Sequence, residues 1–270
     1  MIDLHCHLLP GIDDGSQDLE QSLEMARISA ADGVSVTACT PHIFPGVYNN
    51  TGPDIRRRIA ALQSELDAAG IPMRLVTGGD VHIAPDLVAK LKSGEALSLN
   101  DSRYVLIEPP HHVLPPRIED LFFNLLSAGY VPVVTHPERM SWIDREYDML
   151  VRLVRSGAWM QITAGALVGL FGSAPRKWSE RMLREGMVHI VASDAHGPTR
   201  RPPRMGEAYA ALISLVGQAE ATNIVQNRPQ AILQNLAPDA IPEPPVSGAR
   251  DGGGRQGSVW DKMSRVFRGH

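Results

Sequence analysis

Five separate runs of apolar, β-prone residues in this chain each close on histidine or carboxylate: His5-Cys6-His7, Thr40-Pro41-His42, Ile107-Glu108, Thr135-His136-Pro137 and Ser193-Asp194-Ala195-His196. Imidazoles and carboxylates therefore stand at the tips of strands that lie far apart in sequence. A parallel β/α barrel brings such tips face to face, because its functional residues gather at the C-terminal ends of its strands. The rest of the chain alternates accordingly. Strand candidates at 2–7, 34–40, 73–81, 104–108, 131–136, 159–163 and 188–194 are separated by helical stretches at about 18–31, 54–69, 85–92, 116–128, 145–156 and 174–185. Gly33, Gly70, Gly94, Gly129, Gly157 and Gly186 follow or closely trail these helices, where a left-handed cap is wanted. This punctuation predicts an α/β fold of seven strands, one short of the usual eight. Two last helices, 205–216 and 219–234, are expected to pack outside.

With 270 residues and 43% hydrophobic content the chain can bury one large core. A net charge of −4 gives no global basic field, so nucleic acid is not the expected partner, and Arg56-Arg57-Arg58 reads as one solvated helix face. The two cysteines, Cys6 and Cys39, have no paired spacing; they read as small buried hydrophobes in a reducing compartment. No apolar run approaches the roughly 20 residues that span a bilayer, and Asp3, His5 and His7 interrupt any signal-peptide core. A cytoplasmic protein, not integral to a membrane, is expected. Beyond Leu236 come Pro238, Pro242, Pro244, Pro245 and Gly252-Gly253-Gly254. The expected organisation is thus a barrel over 1–236 and an unfolded Pro/Gly-rich tail over 237–270. The tail ends in 259–268, where apolar residues at helical spacing make either a disordered end or a short helix for a partner or an anionic membrane surface.

Strand alternation sorts ligands from bystanders, since residues i and i+2 share a face. Asp3, His5 and His7 share one face, with Ile2, Leu4 and Cys6 expected against outer helices. By the same parity Asp194 and His196 align with Ile190 and Ala192, Glu108 with Tyr104 and Leu106, His136 with Pro132 and Val134, and His42 with Val36, Ala38 and Thr40. His189 falls on the opposite face and reads as a packing histidine. A one-sided cluster of histidines and carboxylates in a barrel mouth is costly without cations, so a multinuclear metal hydrolase is expected.

The stretch from Met1 to Gly15, MIDLHCHLLPGIDDG, resembles the opening of the polymerase and histidinol phosphatase (PHP) superfamily. More narrowly it resembles the manganese-dependent bacterial protein-tyrosine phosphatases of capsule and exopolysaccharide clusters, the CpsB type. Supporting stretches are Leu99-Asn100-Asp101-Ser102-Arg103-Tyr104, His136-Pro137-Glu138-Arg139, Ala192-Ser193-Asp194-Ala195-His196 and Arg201-Pro202-Pro203, so the likeness runs from residue 1 to about 236. It implies a distorted seven-stranded (β/α) TIM-like barrel holding three divalent metal ions, manganese foremost, with iron or zinc as alternatives. His5, His7, Asp80 and Asp194 would hold the first ion; Asp80, Glu108 and His136 the second; Asp14, His42 and His196 the third. Arg139 and Arg201 fall where the family grips substrate phosphate. The substrate implied is a phosphotyrosine protein, a cognate membrane-associated tyrosine autokinase. Aspartate at position 80, in Gly78-Gly79-Asp80-Val81-His82, stands where the family usually has glutamate, and the two glycines would permit a closer backbone approach. Asp13 is an alternative to Asp14. His82 is expected in a supporting or surface role, and His111 and His112 as exposed rim histidines.

Such a centre would acidify bound water towards a pKa of about 7 and deliver hydroxide to phosphorus. A tyrosine phenolate, with a pKa near 10, leaves without much protonic help. A cysteine mechanism is excluded, because the sixth residue after Cys6 is Ile12 and after Cys39 is Pro45, where Cys-x5-Arg needs arginine. The competing readings are a small-molecule phosphomonoesterase of the histidinol-phosphatase kind and a non-catalytic phosphopeptide-binding module.

Overall fold

A computed structural model describes residues 1–246. In chain order its elements are β1 (Ile2–Cys6), α1 (Leu19–Ala31), β2 (Val36–Cys39), β3 (His42–Ile43), α2 (Gly52–Ala68), β4 (Arg74–Thr77), β5 (Asp80–His82), α3 (Leu87–Ser93), β6 (Tyr104–Glu108), α4 (Ile118–Ser127), β7 (Val131–Thr135), α5 (Ile143–Arg155), β8 (Trp159–Thr163), α6 (Ala164–Leu167), α7 (Ser173–Arg184), β9 (Ile190–Ala192), α8 (Gly206–Val216), α9 (Gln218–Thr222) and α10 (Arg228–Leu233), with a π-helical turn at Asn223–Asn227. The strands pair parallel throughout, in the orders β1-β2-β4 and β3-β5-β6-β7-β8-β9. A parallel bridge between Cys6 and Ala195 brings the chain after β9 back beside β1. The result is a mixed α/β fold around a curled parallel sheet.

Two expected strands are each broken in two, and the break has a physical cause. Pro41 has no N–H to give a ladder, so the second strand stops at Cys39 and resumes at His42. In the third, a Cβ on Gly78 would lie 2.8 Å from Thr40 Cγ2, and one on Gly79 2.7 Å from Ile43 Cδ1. Only glycine lets the two backbones approach this closely. After the glycines β5 leaves β4's partners and runs between β3 and β6, in register His42↔Asp80 and Asp80↔Leu106. That shift carries Asp80 to His42.

Two apolar clusters sit on the two faces of the sheet. The larger joins the strands' outward residues, such as Cys39, Val105, Ile107, Val134 and Val191, to the stripes of α1, α2, α4, α5, α7 and α8. The smaller collects Ile2, Leu4, Ala38, Val76, Tyr104, Leu106, Val131, Val133, Trp159 and Ile190 from the inner face and closes it with Ile232 and Leu233 of α10. This partition corrects two parity arguments. Ile2 and Leu4 point inward, not towards the outer helices; the register shift between Asp3 and Cys6 changes the alternation, so that His5 and His7 still face inward and Cys6 outward. Val134 faces outward, so it does not share a face with the site. His136 instead leaves the end of β7 in a left-handed conformation, φ 36°, and swings its ring inward.

At the opposite end from the strand tips the chain stays packed past Leu236. Tyr104 donates to the Leu236 carbonyl, Ile241 is buried, and the Pro242 carbonyl accepts from Arg228 Nε at 2.8 Å. The expected boundary at 236 therefore falls inside packed structure. The segment 259–268, read from sequence as an amphipathic end, lies outside the described residues.

Candidate metal centre

β1 and the residue that follows it carry the first two imidazoles, and each is oriented through its far nitrogen. His5 Nδ1 lies 2.9 Å from Gln161 Oε1 on β8, and His7 Nδ1 lies 2.7 Å from Asp13 Oδ2. The Asp13 carboxylate also accepts from the backbone N–H of Gly15 and His42. These partners fix which ring nitrogen faces the centre, as the outer partners of metal-binding histidines do. A Cβ on Gly15 would fall 2.3 Å from the His7 carbonyl, so the loop can lie on β1 only with glycine there.

The freed nitrogens then meet carboxylates. His5 Nε2 is 3.2 Å from His7 Nε2 and 3.4 Å from both Asp80 Oδ2 and Asp194 Oδ1; His7 Nε2 is 3.6 Å from Asp194 Oδ1. Asp14 Oδ1 stands 3.3 Å from His42 Nε2 and 3.4 Å from His196 Nε2, beside the His7 ring. Glu108 Oε1 stands 3.6 Å from His136 Nε2 and 3.4 Å from His111 Nε2. The remaining oxygens connect these groups: His42 Nδ1 lies 3.4 Å from Asp80 Oδ2 and 3.3 Å from Glu108 Oε2, which also meets His82 Nδ1 at 3.3 Å.

Every sequence-derived ligand, His5, His7, Asp14, His42, Asp80, Glu108, His136, Asp194 and His196, is thus brought to one place. Candidate metal-holding groups form from His5, His7 and Asp80; from His7, Asp14, His42 and His196; from His42, Asp80 and Glu108; and from Glu108, His111 and His136. The first and third expected sets converge. In the second, Glu108 meets His136 through Oε1 and groups with Asp80 and His42 on its other side, while Asp80 and His136 share no group. Sequence reasoning left His111 on the rim and overlooked Gln161 and the orienting use of Asp13.

The donor set fits divalent cations. Ligand atoms bonded at about 2.0–2.2 Å to one ion sit roughly 3–3.6 Å from one another, which is the spacing seen here. Asp80 is fully buried, yet neither of its oxygens has a hydrogen-bond partner, and the Nδ1 atoms of His42 and His136 are likewise buried without one. Unpaired buried carboxylate is expensive unless a cation faces it. Protonation follows the same logic. Burial disfavours a charged His5, but Asp80 and Asp194 push its pKa up to about 9. Burial and the His196 charge push His7 down to about 4. For His42, burial is outweighed by Asp14 and Glu108, which push it up to about 12. The carboxylates demand positive charge at the imidazoles they face. Imidazole with carboxylate suits zinc, iron or manganese.

Arg139 and Arg201 line the same pocket of about 170 Å³ as Asp14, His42, Glu108, His111, His136, Asp194 and His196. Both guanidinium groups donate to Asp194 Oδ2, and both pack over the Phe171 ring, at 4.5 and 5.7 Å from its centroid. Glu138, beside them, turns away: its Oε1 accepts from Thr163 N at 2.8 Å.

The profile of the family described as capsular polysaccharide synthesis, CpsB/CapC, matches residues 1–234. This chain belongs to the CpsB/CapC family. It is 37% identical to the tyrosine-protein phosphatase YwqE of Bacillus subtilis over 246 residues, covering 91% of this chain and 96% of that protein. To the putative tyrosine-protein phosphatase CapC of Staphylococcus aureus it is 33% identical over 202 residues, 75% and 79% of the two chains. A crystal structure from work on YwqE of Bacillus subtilis and CpsB of Streptococcus pneumoniae, described as unique metal-dependent tyrosine phosphatases, superposes with a TM-score of 0.85 at 36% identity, over 93% of this chain and all of that one. Among the described residues of this CpsB/CapC chain no helix is long and apolar enough to cross a membrane.

Proposed function

We propose that this CpsB/CapC protein is a metal-dependent protein-tyrosine phosphatase whose site is the cluster at the strand ends. The observation that carries the reading is Asp80: a fully buried carboxylate with no hydrogen-bond partner, ringed by imidazoles. His5, His7 and Asp80, with Asp194 beside the two imidazoles, are the first ligand set and His7, Asp14, His42 and His196 another, with Glu108 and His136 completing a third region; three ions, manganese first among them, suit this division. Divalent cations held there supply Lewis-acid polarisation of phosphoryl oxygens and acidify water at neutral pH. Gln161 and Asp13 keep the His5 and His7 lone pairs aimed at the centre. Arg139 and Arg201 bind the non-bridging oxygens of the phosphate dianion, the planar fork matching two oxygens at once. A phenolate, with a pKa near 10, leaves without much protonic help, so the pocket's demand for a general acid is small. Cys6 and Cys39 are buried, and burial raises both thiols, which leaves them without the thiolate character of a nucleophile.

The nine strands support a reading as seven staves of a distorted barrel, β2 with β3 and β4 with β5 each counting as one, closed through the Cys6–Ala195 bridge. On this reading the catalytic unit is the packed body and the tail is a separate feature. The substrate is a phosphotyrosine segment of a capsule or exopolysaccharide autokinase, met in the cytoplasm. The test is release of phosphate from a phosphotyrosine peptide, compared with histidinol phosphate, with manganese and then with chelator. Hydrolysis of the peptide that chelator abolishes, manganese restores and thiol alkylation leaves unchanged is expected. Preference for histidinol phosphate favours the small-molecule enzyme, and activity after complete demetallation sinks the metal reading.

A further inference from the structure

His111 stands in a loop between β6 and α4 where sequence suggests only an exposed rim residue, yet it is held like a working part. Its carbonyl accepts from Ser141 N at 2.9 Å and Ser141 Oγ at 3.1 Å, and the preceding Pro110 carbonyl accepts from Trp142 Nε1 at 3.0 Å. Pro109 and Pro110 stiffen the approach. The anchored loop turns the ring inward, 29% exposed, with Nε2 at 3.4 Å from Glu108 Oε1 and the ring centroid 4.9 Å from that of His136. His112, the next residue, is exposed and makes no contact with Glu108.

The two oxygens of Glu108 face different partners. Oε2 joins the group of His42 and Asp80, while Oε1 faces His136 and His111, and Asp80 is not grouped with His136. Aspartate has one methylene fewer than glutamate with which to span from β5 to β7. A two-donor corner is a poor cation site; a third donor at 3.4 Å makes it an ordinary one. We propose that His111 is a metal ligand of this chain, closing with Glu108 and His136 a site that Asp80 does not complete. The inference rests on the metal-dependent reading above.

The test is metal binding, measured independently of turnover. Manganese and, separately, zinc are titrated calorimetrically into the demetallated full-length protein, and bound metal is counted by elemental analysis after gel filtration. Loss of orienting partners of metal ligands already costs about 10–100-fold in affinity. His111→Ala is therefore expected to lose one equivalent, or to weaken one class of site at least about tenfold, with the other sites unchanged. His112→Ala is expected to behave as wild type. His111→Glu, which restores an oxygen donor, is expected to recover the lost equivalent, and this arm stands even where the alanine variant folds poorly. Wild-type stoichiometry and affinity in His111→Ala overturns the assignment while leaving the metal centre standing. Failure of the wild-type protein itself to bind either ion overturns both.

Discussion

The two ends of the sheet each bury charge, and they handle it in opposite ways. Below the inner cluster Arg228, fully buried, pairs with Glu220 through two nitrogens at 2.7 and 3.1 Å and donates further to the carbonyls of Pro242 and His189. Every part of that guanidinium is answered by protein. At the strand tips Asp80 is just as buried, and neither oxygen has a hydrogen-bond partner, the His5 and His42 rings standing 3.4 Å from Oδ2. A satisfied buried charge stitches elements together; here it ties α9, α10 and the C-terminal segment to His189, just before β9. An unanswered one marks a place kept for something that is not protein. Burial alone does not separate architecture from function, but the hydrogen-bond accounting does.

The comparison breaks or holds most visibly in a pair of variants. Asp80→Ala is expected to lower kcat/KM on a phosphotyrosine peptide by about 10³, or about 4 kcal/mol, while the melting temperature of the demetallated protein stays level or rises, since an unpaired buried carboxylate has gone. Arg228→Ala is expected to do the reverse: a stability loss of about 3–5 kcal/mol from stranding Glu220, with kcat of the folded fraction unchanged. Urea melts and initial rates on both variants decide it. A destabilised Asp80→Ala that keeps activity would reverse the assignment of the two ends.

A smaller effect separates the metal side of the pocket from its phosphate side. Arg139→Lys keeps the charge but loses the fork, and is expected to cost roughly 10–100-fold in kcat/KM, about 1.4–2.8 kcal/mol, with bound metal unchanged by elemental analysis. An equal loss of metal would mean that Arg139 acts by holding Asp194, to which it donates, and not by holding phosphate.

Much of this site was legible in the sequence because strand tips announce themselves: an apolar run that ends in His or Glu needs no tertiary knowledge. What alternation could not supply was where the alternation fails. His136 reaches the cluster through a left-handed turn and His5 through a register shift, so parity placed His136 there by the wrong route and misplaced Ile2 and Leu4. Gln161 was hidden because it is neutral; its signal was its inward parity with Trp159 on a strand that otherwise brings nothing to the site. The strand breaks at Pro41 and at Gly78-Gly79 were written in plain residues, but their consequence, β5 crossing over to β3, depends on contacts with Thr40 and Ile43 that only the fold creates. The packing past Leu236 was not legible, because proline content hides the anchoring of Pro242 by Arg228.

Acid also probes the architectural end, where a single substitution isolates one group. His189 stacks on Trp159 with centroids 4.7 Å apart, and its Nδ1 accepts from Met160 N at 3.1 Å, a role that needs the neutral ring. Burial and the Arg228 charge push its pKa down to about 3. The folded value lies below the unfolded one, so its contribution is complete above about pH 6.5 and declines as pH falls towards 3. At pH 5 this amounts to about 2 kcal/mol. The urea midpoint of His189→Asn is expected to fall less between pH 7 and pH 5 than that of wild type, and equal slopes would remove His189 from the account.

The smallest expected effect concerns the phosphate side. Phe171 lies in the loop between α6 and α7, flanked by exposed Leu170 and by Gly172, and its ring lies against both Arg139 and Arg201. Contacts of this kind are worth about 0.5–1 kcal/mol at exposed sites. They restrict where the two cations stand without adding charge. Phe171→Leu keeps apolar bulk and loses the π face, so KM for a phosphotyrosine peptide is expected to rise about two- to fivefold with kcat little changed. Phe171→Tyr, which keeps the face, is expected to restore it. A fall in kcat at constant KM would instead place the ring's influence in the reaction step, and with it on the metal side of the pocket.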